Sequence, residues 1–128
     1  MSRDTGLIYE AIANQYLQKQ GLVLIETNFQ GKTGEIDLIM KDQDKLFKPA
    51  QEVLVFVEVR FRQSGDFCLT EDTINHAKQQ RLIRTAKLYL QKKNLFDKIA
   101  CRFDVIAIHG EKPQDEQILW IKNAFEAA

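Results

Sequence analysis

The sequence contains few of the residues that cross-link a small fold or form a zinc centre. Its 128 residues include two cysteines, two histidines, two prolines and six glycines. Cys68 and Cys101 lie far apart and lack the close spacing of metal ligands, so we expect reduced thiols, with Cys101 in the core. His76 and His109 have no evident catalytic partner in the sequence. These absences weigh against a disulfide scaffold, a zinc site and histidine-based catalysis.

Long apolar segments are also absent. The sequence has no run of about 18 apolar residues, and its N-terminus does not show the charged-then-apolar pattern of a signal peptide. We therefore expect a cytoplasmic protein that does not insert into a membrane. A composition of 45% hydrophobic and 28% charged residues is ordinary for a globular protein. Residues 1–128 are expected to form a single domain that needs no disulfide or structural metal.

The net charge is zero, but its distribution along the chain is uneven. Residues 1–59 carry a net charge of −3, residues 60–102 carry +6, and residues 103–128 carry −3. A polyanion would suit this division, because acidic groups can hold a metal at the reacting phosphate while basic groups contact its neighbours. A solvated basic helix face accounts for the same distribution equally well.

Two segments have the apolar spacing of amphipathic helices. The first covers residues 5–20, where Thr5 is a candidate N-cap. The second covers residues 71–93, with Thr70 or Asp72 as a candidate cap. The second segment is the longest predicted helix, about six turns if it runs unbroken.

The remaining hydrophobic runs are short and typical of strands. Strands are predicted over residues 21–29, 34–40, 53–61, 101–108 and, as a short edge strand, 118–121. Residues 30–33 contain a glycine and favour a tight hairpin turn. The resulting order is α-β-β-β-α-β, which predicts an α/β fold in which helices flank a mixed sheet.

Two of the predicted strands carry acidic residues among apolar ones. Side chains alternate along a strand, so Glu35 and Asp37 share one face, as do Glu58 and Arg60 on the next strand. If the two strands pair, Asp37 and Glu58 can lie side by side at the end of the sheet. Carboxylates placed there repel each other and are costly to bury unless a cation lies between them. The pattern predicts a site for a hard divalent metal.

Such a site would suit the hydrolysis of a phosphodiester. That reaction needs a water in line with the leaving oxygen and positive charge where negative charge develops, and Mg²⁺ or Mn²⁺ held by oxygen ligands can supply both. We expect ligands from Asp37, Glu58 and the backbone carbonyl of Val59. Glu10, on the first helix, would complete the shell or bind a second ion. Arg60 would lie within reach of the water or the scissile phosphate.

Each of these residues also has a purely structural interpretation. Glu10 lies at the margin of the apolar stripe and also fits a surface position. The carboxylates could form a salt-bridge network with Arg60 and Arg62. Glu35 could belong to the site or could be a strand-end residue in water. The basic residues of the second helix are candidates for nucleic-acid contacts: Lys78, Arg81 and Arg84.

Taken together, the motifs of this chain resemble those of the YraN family of bacterial proteins. They match in order and spacing at residues 5–17, 34–39, 56–60, 78–90, 102–106 and 123–125. The resemblance therefore extends over nearly the whole chain. The YraN family is itself similar in fold to the PD-(D/E)xK nucleases, and especially to the archaeal Holliday junction resolvases.

The resemblance implies a restriction-endonuclease-like fold in which Glu10, Asp37 and Glu58 are metal ligands and Arg60 takes the place of the motif lysine. Arginine stays protonated, so Arg60 cannot accept a proton from water, but it can stabilise charge on the phosphate. The implied activity is a Mg²⁺- or Mn²⁺-dependent DNA endonuclease, with branched or junction DNA as one expected substrate and a homodimer as one expected form. The alternative is a nuclease-fold protein without turnover that binds nucleic acid or acts as a scaffold.

Overall fold

The computed structural model describes the backbone of residues 3–44, 50–62, 74–110 and 117–127. These ranges contain α1 (Arg3–Lys19), β1 (Val23–Gly31), β2 (Gly34–Asp44), β3 (Gln51–Arg62), α2 (His76–Lys92), β4 (Ala100–His109) and β5 (Gln117–Phe125). The predicted mixed α/β order is confirmed, and the edge strand predicted near the C-terminus is a full strand. Among the described helices, none has the length and apolar character needed to cross a membrane.

The five strands form one sheet in the order β1-β2-β3-β4-β5. Neighbouring strands are antiparallel except for the central pair β3 and β4, which are parallel. A parallel pair needs a long crossover, and α2 lies in the connection between these two strands. Pairing of Gly31 with Gly34 closes the hairpin between β1 and β2 around Lys32 and Thr33, as predicted.

The two helices cover opposite faces of the sheet. Val55 of β3 belongs to the same hydrophobic cluster as Leu17 of α1, whereas its neighbour Phe56 belongs to a second cluster with Tyr89 of α2. Because adjacent residues of a strand point to opposite faces, the two clusters lie on either side of the sheet. The central strands are therefore buried on both faces, which explains their nearly continuous apolar sequences.

The predicted helix caps were wrong. α1 begins before Thr5, which lies inside the helix. α2 begins after Asn75, whose side-chain oxygen accepts a hydrogen bond from the backbone N–H of Lys78 at 2.9 Å. Several polar residues precede α2 in the sequence, and among the described ones Asn75 has the extended backbone of an N-cap. The candidates Thr70 and Asp72 lie outside the described residues.

The strands and Cys101 also depart from the sequence-based expectations. β2 continues to Asp44 and β3 begins at Gln51, and these two residues pair, because backbone hydrogen bonds extend the hairpin beyond its hydrophobic part. Cys101 is exposed, so its expected place in the core was wrong. The buried part of β4 begins at Phe103, and Cys101 lies at the uncovered start of the strand. Cys68 lies outside the described residues.

Candidate metal centre and nucleic-acid surface

The candidate site lies where β2 and β3 stop pairing. Their antiparallel ladder runs from Asp44 opposite Gln51 to Leu38 opposite Val57, and the next residue of β2 is Asp37. At this point Oδ2 of Asp37 accepts a hydrogen bond from the backbone N–H of Val59 at 2.8 Å. The carboxylate of Asp37 thus accepts a hydrogen bond from a backbone N–H of β3 that lies beyond the last residue pair between β2 and β3.

Three carboxylates from two elements converge beside this point. One oxygen each of Glu10 on α1 and of Glu35 and Asp37 on β2 lie within 4.8 Å of one another. Two oxygens bound to a common Mg²⁺ at about 2.1 Å can be no more than about 4.2 Å apart. In an octahedral shell only opposite ligands are that far apart and neighbouring ones are about 3.0 Å apart, so the three carboxylates would draw closer together on binding one ion. An all-carboxylate set suits Mg²⁺ or Mn²⁺, which prefer oxygen ligands.

The electrostatics of Asp37 fit a cation site. Burial, followed by the charge of Glu58, raises its pKa from 3.8 to about 8, with smaller contributions from Glu10 and Glu35. The hydrogen bond from the backbone N–H of Val59 lowers the pKa of Asp37, because it stabilises the ionised carboxylate. Without a cation, this carboxyl group is therefore largely protonated at neutral pH. A bound divalent ion would favour its ionised form.

Glu58 is near this group but has a different partner. Its side chain is only 8% exposed, and Oε1 lies 2.7 Å from Nζ of Lys78 on α2. Glu58 is close enough to raise the pKa of Asp37. Its charge is compensated from the second helix, whereas Glu10 approaches from the first. The site therefore receives side chains from both faces of the sheet.

A cavity of about 300 Å³ adjoins these acids. Its walls come from the β1–β2 turn, the acidic strand ends and the first turns of α2: Thr33, Glu35, Asp37, Glu58, Lys78 and Arg81. The hydroxyls of Thr33 and Thr85 lie 2.7 Å apart, and Thr85 also donates to the carbonyl of Arg81 at 2.9 Å. These contacts hold the turn against α2 and thereby shape one wall of the cavity.

The basic residues predicted to bind nucleic acid divide between the cavity and the open surface. Lys78 and Arg81 both line the cavity, and Arg81 is exposed. Arg84 is exposed one turn further along α2 and is not among the described residues that line it. Arg60 is half-buried on β3, two residues after Glu58. For Val59 the structure gives the N–H contact to Asp37, and ligation through its carbonyl stays a prediction.

Two features of this site were not predicted from the sequence. Glu35 joins Glu10 and Asp37, although its pattern left open a place in water. Lys78 turns inward to Glu58 rather than lying on an exposed basic face. A signal for Lys78 was present, because the spacing of Lys78, Leu82 and Thr85 places all three on one side of a helix, and the latter two are buried.

A second polar cluster, on the side of the sheet that α1 covers, has a structural role. Asp104 is 1% exposed and accepts hydrogen bonds from Nε of Arg102 at 3.0 Å, Nε1 of Trp120 at 2.9 Å and the backbone N–H of Asn123 at 2.9 Å. Arg102 also donates to Asp42 at 2.8 Å. Asp104 therefore ties β4 to β5 and, through Arg102, to β2. Trp120 serves this network and the packing of Tyr16.

Comparison with known proteins relates the chain to one family. A model of the family described as "Uncharacterised protein family UPF0102" matches residues 9–108. A UPF0102 protein of Coxiella burnetii is 49% identical over 126 residues, covering 98% of this chain and 95% of the relative. A UPF0102 protein of Aliivibrio fischeri is 43% identical over 123 residues, covering 95% and 91%, respectively. One from Pseudomonas syringae is 42% identical over 125 residues, covering 98% and 95%.

Among solved structures, the chain is similar to that titled "The structure of Pyrococcus Furiosus SfsA in complex with Ca2+". The two share 14% sequence identity with a TM-score of 0.36. The match covers 94% of this chain but only 63% of that one, which is under two thirds of its length.

Proposed function

From the premise that the chain belongs to the uncharacterised protein family UPF0102, which is the YraN family predicted from its motifs, we propose that it is a metal-dependent DNA endonuclease. The observation that carries the proposal is the convergence of Glu10, Glu35 and Asp37 to within 4.8 Å, beside a cavity that Lys78 and Arg81 also line. Acidic ligands beside basic side chains suit the hydrolysis of a phosphodiester.

In this proposal Glu10, Glu35 and Asp37 hold Mg²⁺ or Mn²⁺, with Glu58 and the carbonyl of Val59 beside them. When bound, such an ion would supply a lowered pKa for a water molecule and positive charge for the reacting phosphate. The hydrogen bond from Val59 orients the carboxylate of Asp37 toward the cavity and keeps it in register with Glu58.

The basic side chains have a separate task in this mechanism. Lys78 and Arg81 enter the cavity from α2 and are placed to contact phosphates next to the scissile one. Arg84 would extend this contact along the exposed face of the helix. Arg60 stabilises negative charge as a permanently protonated group and does not act as a base. Removal of the proton from the water would therefore fall to the carboxylates, helped by the metal when it is bound.

The proposal includes the restriction-endonuclease-like version of this α/β fold. It is supported by an antiparallel β1-β2-β3 unit followed by a parallel strand, with acidic residues where β2 and β3 part. The motif resemblance to junction resolvases makes branched or four-way DNA the proposed substrate and a homodimer the proposed form. A chromosomal DNA substrate would place the protein in the cytoplasm.

A cleavage panel tests this function directly. Purified protein is incubated with linear, nicked, flapped and four-way DNA, and with matched RNA, in Mg²⁺ or in Mn²⁺. We expect cleavage of DNA, its loss in Asp37→Ala, and its retention in Asp97→Ala, which removes an exposed carboxylate outside the cluster. Equal cleavage by wild type and Asp37→Ala would contradict the proposal, because it would place the activity in another site or in a contaminant.

A second candidate function is a nucleic-acid-binding or scaffolding module that lacks turnover. Two observations favour it: Arg60 stands at the position of the motif lysine, and Glu58 is already paired with Lys78. Salt-dependent DNA binding without cleavage, unchanged in Arg60→Lys, would support this function. Cleavage that appears only in Arg60→Lys would instead indicate that the wild-type site has lost its activity through that residue.

A further inference from the structure

The four carboxylates at the end of β2 and β3 have different surroundings. Three of them, Glu10, Glu35 and Asp37, are close enough for one ion to bind them together. The fourth, Glu58, is in an ion pair with Lys78 at 2.7 Å. The site thus combines a group of acids that could share a metal with an acid that already has a cation.

The contact between Glu58 and Lys78 is built into the packing of the fold. Glu58 is buried between the sheet and α2, where a carboxylate is costly without a charge partner. Lys78 belongs to the first turn of α2, and its backbone N–H is held by Asn75. Its side chain extends along the face that also carries buried Leu82 and Thr85. Both ends of the pair are therefore positioned by secondary structure.

The same lysine also faces open space. Its side chain is 44% exposed and lines the cavity, whereas the side chain of Glu58 is 8% exposed. An ammonium group has three donors, so Lys78 can keep its bond to Glu58 and offer another donor to a phosphate in the cavity. The ammonium group of Lys78 is therefore placed to bind Glu58 and a substrate phosphate at the same time.

We propose that the ammonium group of Lys78 is a fixed second cation of the site, bound to Glu58, beside a single divalent ion held by Glu10, Glu35 and Asp37. The inference rests on the proposed function and specifies which groups supply the positive charge of the active site. Two-metal nucleases place two ions about 3.5–4 Å apart to stabilise the attacking and leaving oxygens. Here the protein supplies one of the two positive charges from its own chain, so it binds one ion rather than two.

The number of bound ions tests the inference without any measurement of cleavage. Calorimetric titration with Mn²⁺ in the absence of DNA should give one ion per wild-type chain. Lys78→Met exposes the carboxylate of Glu58 and should raise the number to two. Glu58→Gln combined with Lys78→Met should return it to one. Arg81→Met, which removes another basic residue of the same cavity, should leave it at one.

Three other ion counts would contradict the inference. Two ions in the wild type would mean that a metal displaces Lys78, and one ion in Lys78→Met would mean that Lys78 does not occupy an ion position. Either result would overturn the inference while leaving a metal-dependent nuclease possible. No bound ion in the wild type would overturn both proposals. One ion bound by the double variant, which also carries Lys78→Met, shows that this substitution does not unfold the protein, and Glu58→Gln alone should likewise bind one ion.

Discussion

The carboxylate of Asp37 accepts the backbone N–H of Val59 at 2.8 Å, one residue beyond the last paired positions of β2 and β3. This contact places a half-buried acid at the point where β2 and β3 separate. It also fixes the spacing between Asp37 and Glu58, which follows Val57 on β3. The candidate metal centre therefore depends on a feature of the backbone as well as on its acidic side chains.

The stability of the metal-free protein should fall with rising pH because of Asp37. Its pKa is 3.8 in the unfolded chain and about 8 in the folded protein, so its contribution is fully present below about pH 4 and is lost as the pH rises through 8. Asp37→Asn does not ionise and should escape this loss. At about 1.4 kcal/mol per pKa unit, a rise of about four units predicts that the variant is more stable by several kcal/mol in metal-free buffer at pH 8.

Urea unfolding at pH 4 and pH 8 measures this difference. The two proteins should have similar stability at pH 4, and Mg²⁺ at pH 8 should stabilise the wild type but not Asp37→Asn. Parallel pH profiles for the two proteins would show that Asp37 ionises in the fold as easily as it does in water.

Glu35 should contribute to metal affinity, although its sequence pattern did not place it in the site. Glu35→Gln removes one charged ligand from the group that includes Glu10 and Asp37, and ligand charge sets the affinity of such sites. We expect the dissociation constant for Mn²⁺, measured by calorimetry, to rise about tenfold or more, which corresponds to about 1.4 kcal/mol. Glu26→Gln is the matched control on β1, where Glu26 lies 3.9 Å from Lys93. If both variants weaken binding equally, the effect is one of overall charge.

Arg81 should contact a phosphate of bound DNA. Its exposed position beside the cavity predicts that Arg81→Ala weakens binding and lowers the slope of log affinity against log salt by about 0.9, the value for one phosphate contact. Fluorescence anisotropy between 50 and 200 mM salt, without divalent metal, measures this slope. Lys41→Ala removes a cation that pairs with Glu52 away from the cavity and should leave the slope unchanged. An unchanged slope in Arg81→Ala would exclude the contact.

Asp104 should contribute to the stability of the fold and not to the affinity for a metal ion. Asp104→Asn removes the charge that compensates the largely covered Arg102, whose side chain is 11% exposed, and disturbs the bonds to Trp120 and Asn123. Breaking a buried pair of this kind costs about 3 kcal/mol, and the remaining bond from Arg102 to Asp42 should keep the loss near or below that value. Urea unfolding followed by tryptophan fluorescence measures the loss. Mn²⁺ affinity should stay at the wild-type value, and a large drop would link this network to the site.

Much of the sheet and the pairing of its acids follows from the sequence alone. Alternation along the strands indicated that Asp37 and Glu58 would approach each other, and the register of Leu38 opposite Val57 agrees with this. The hairpin around Lys32 and Thr33 was likewise predicted from local turn residues. These features depend on the two-residue period of strands and on short-range backbone preferences, both of which can be read in a single sequence.

The composition of the site was decided by tertiary structure. Helical period alone could not determine that Lys78 would reach Glu58, because this also depends on how α2 packs on the sheet. Glu35 joined Glu10 only because α1 covers the opposite face and brings a residue 25 positions away in the chain to the same strand end. Local patterns determine which way a side chain points from its own element. Packing on both faces of the sheet determines which charges meet, and a buried charge is stable only where such a partner is present.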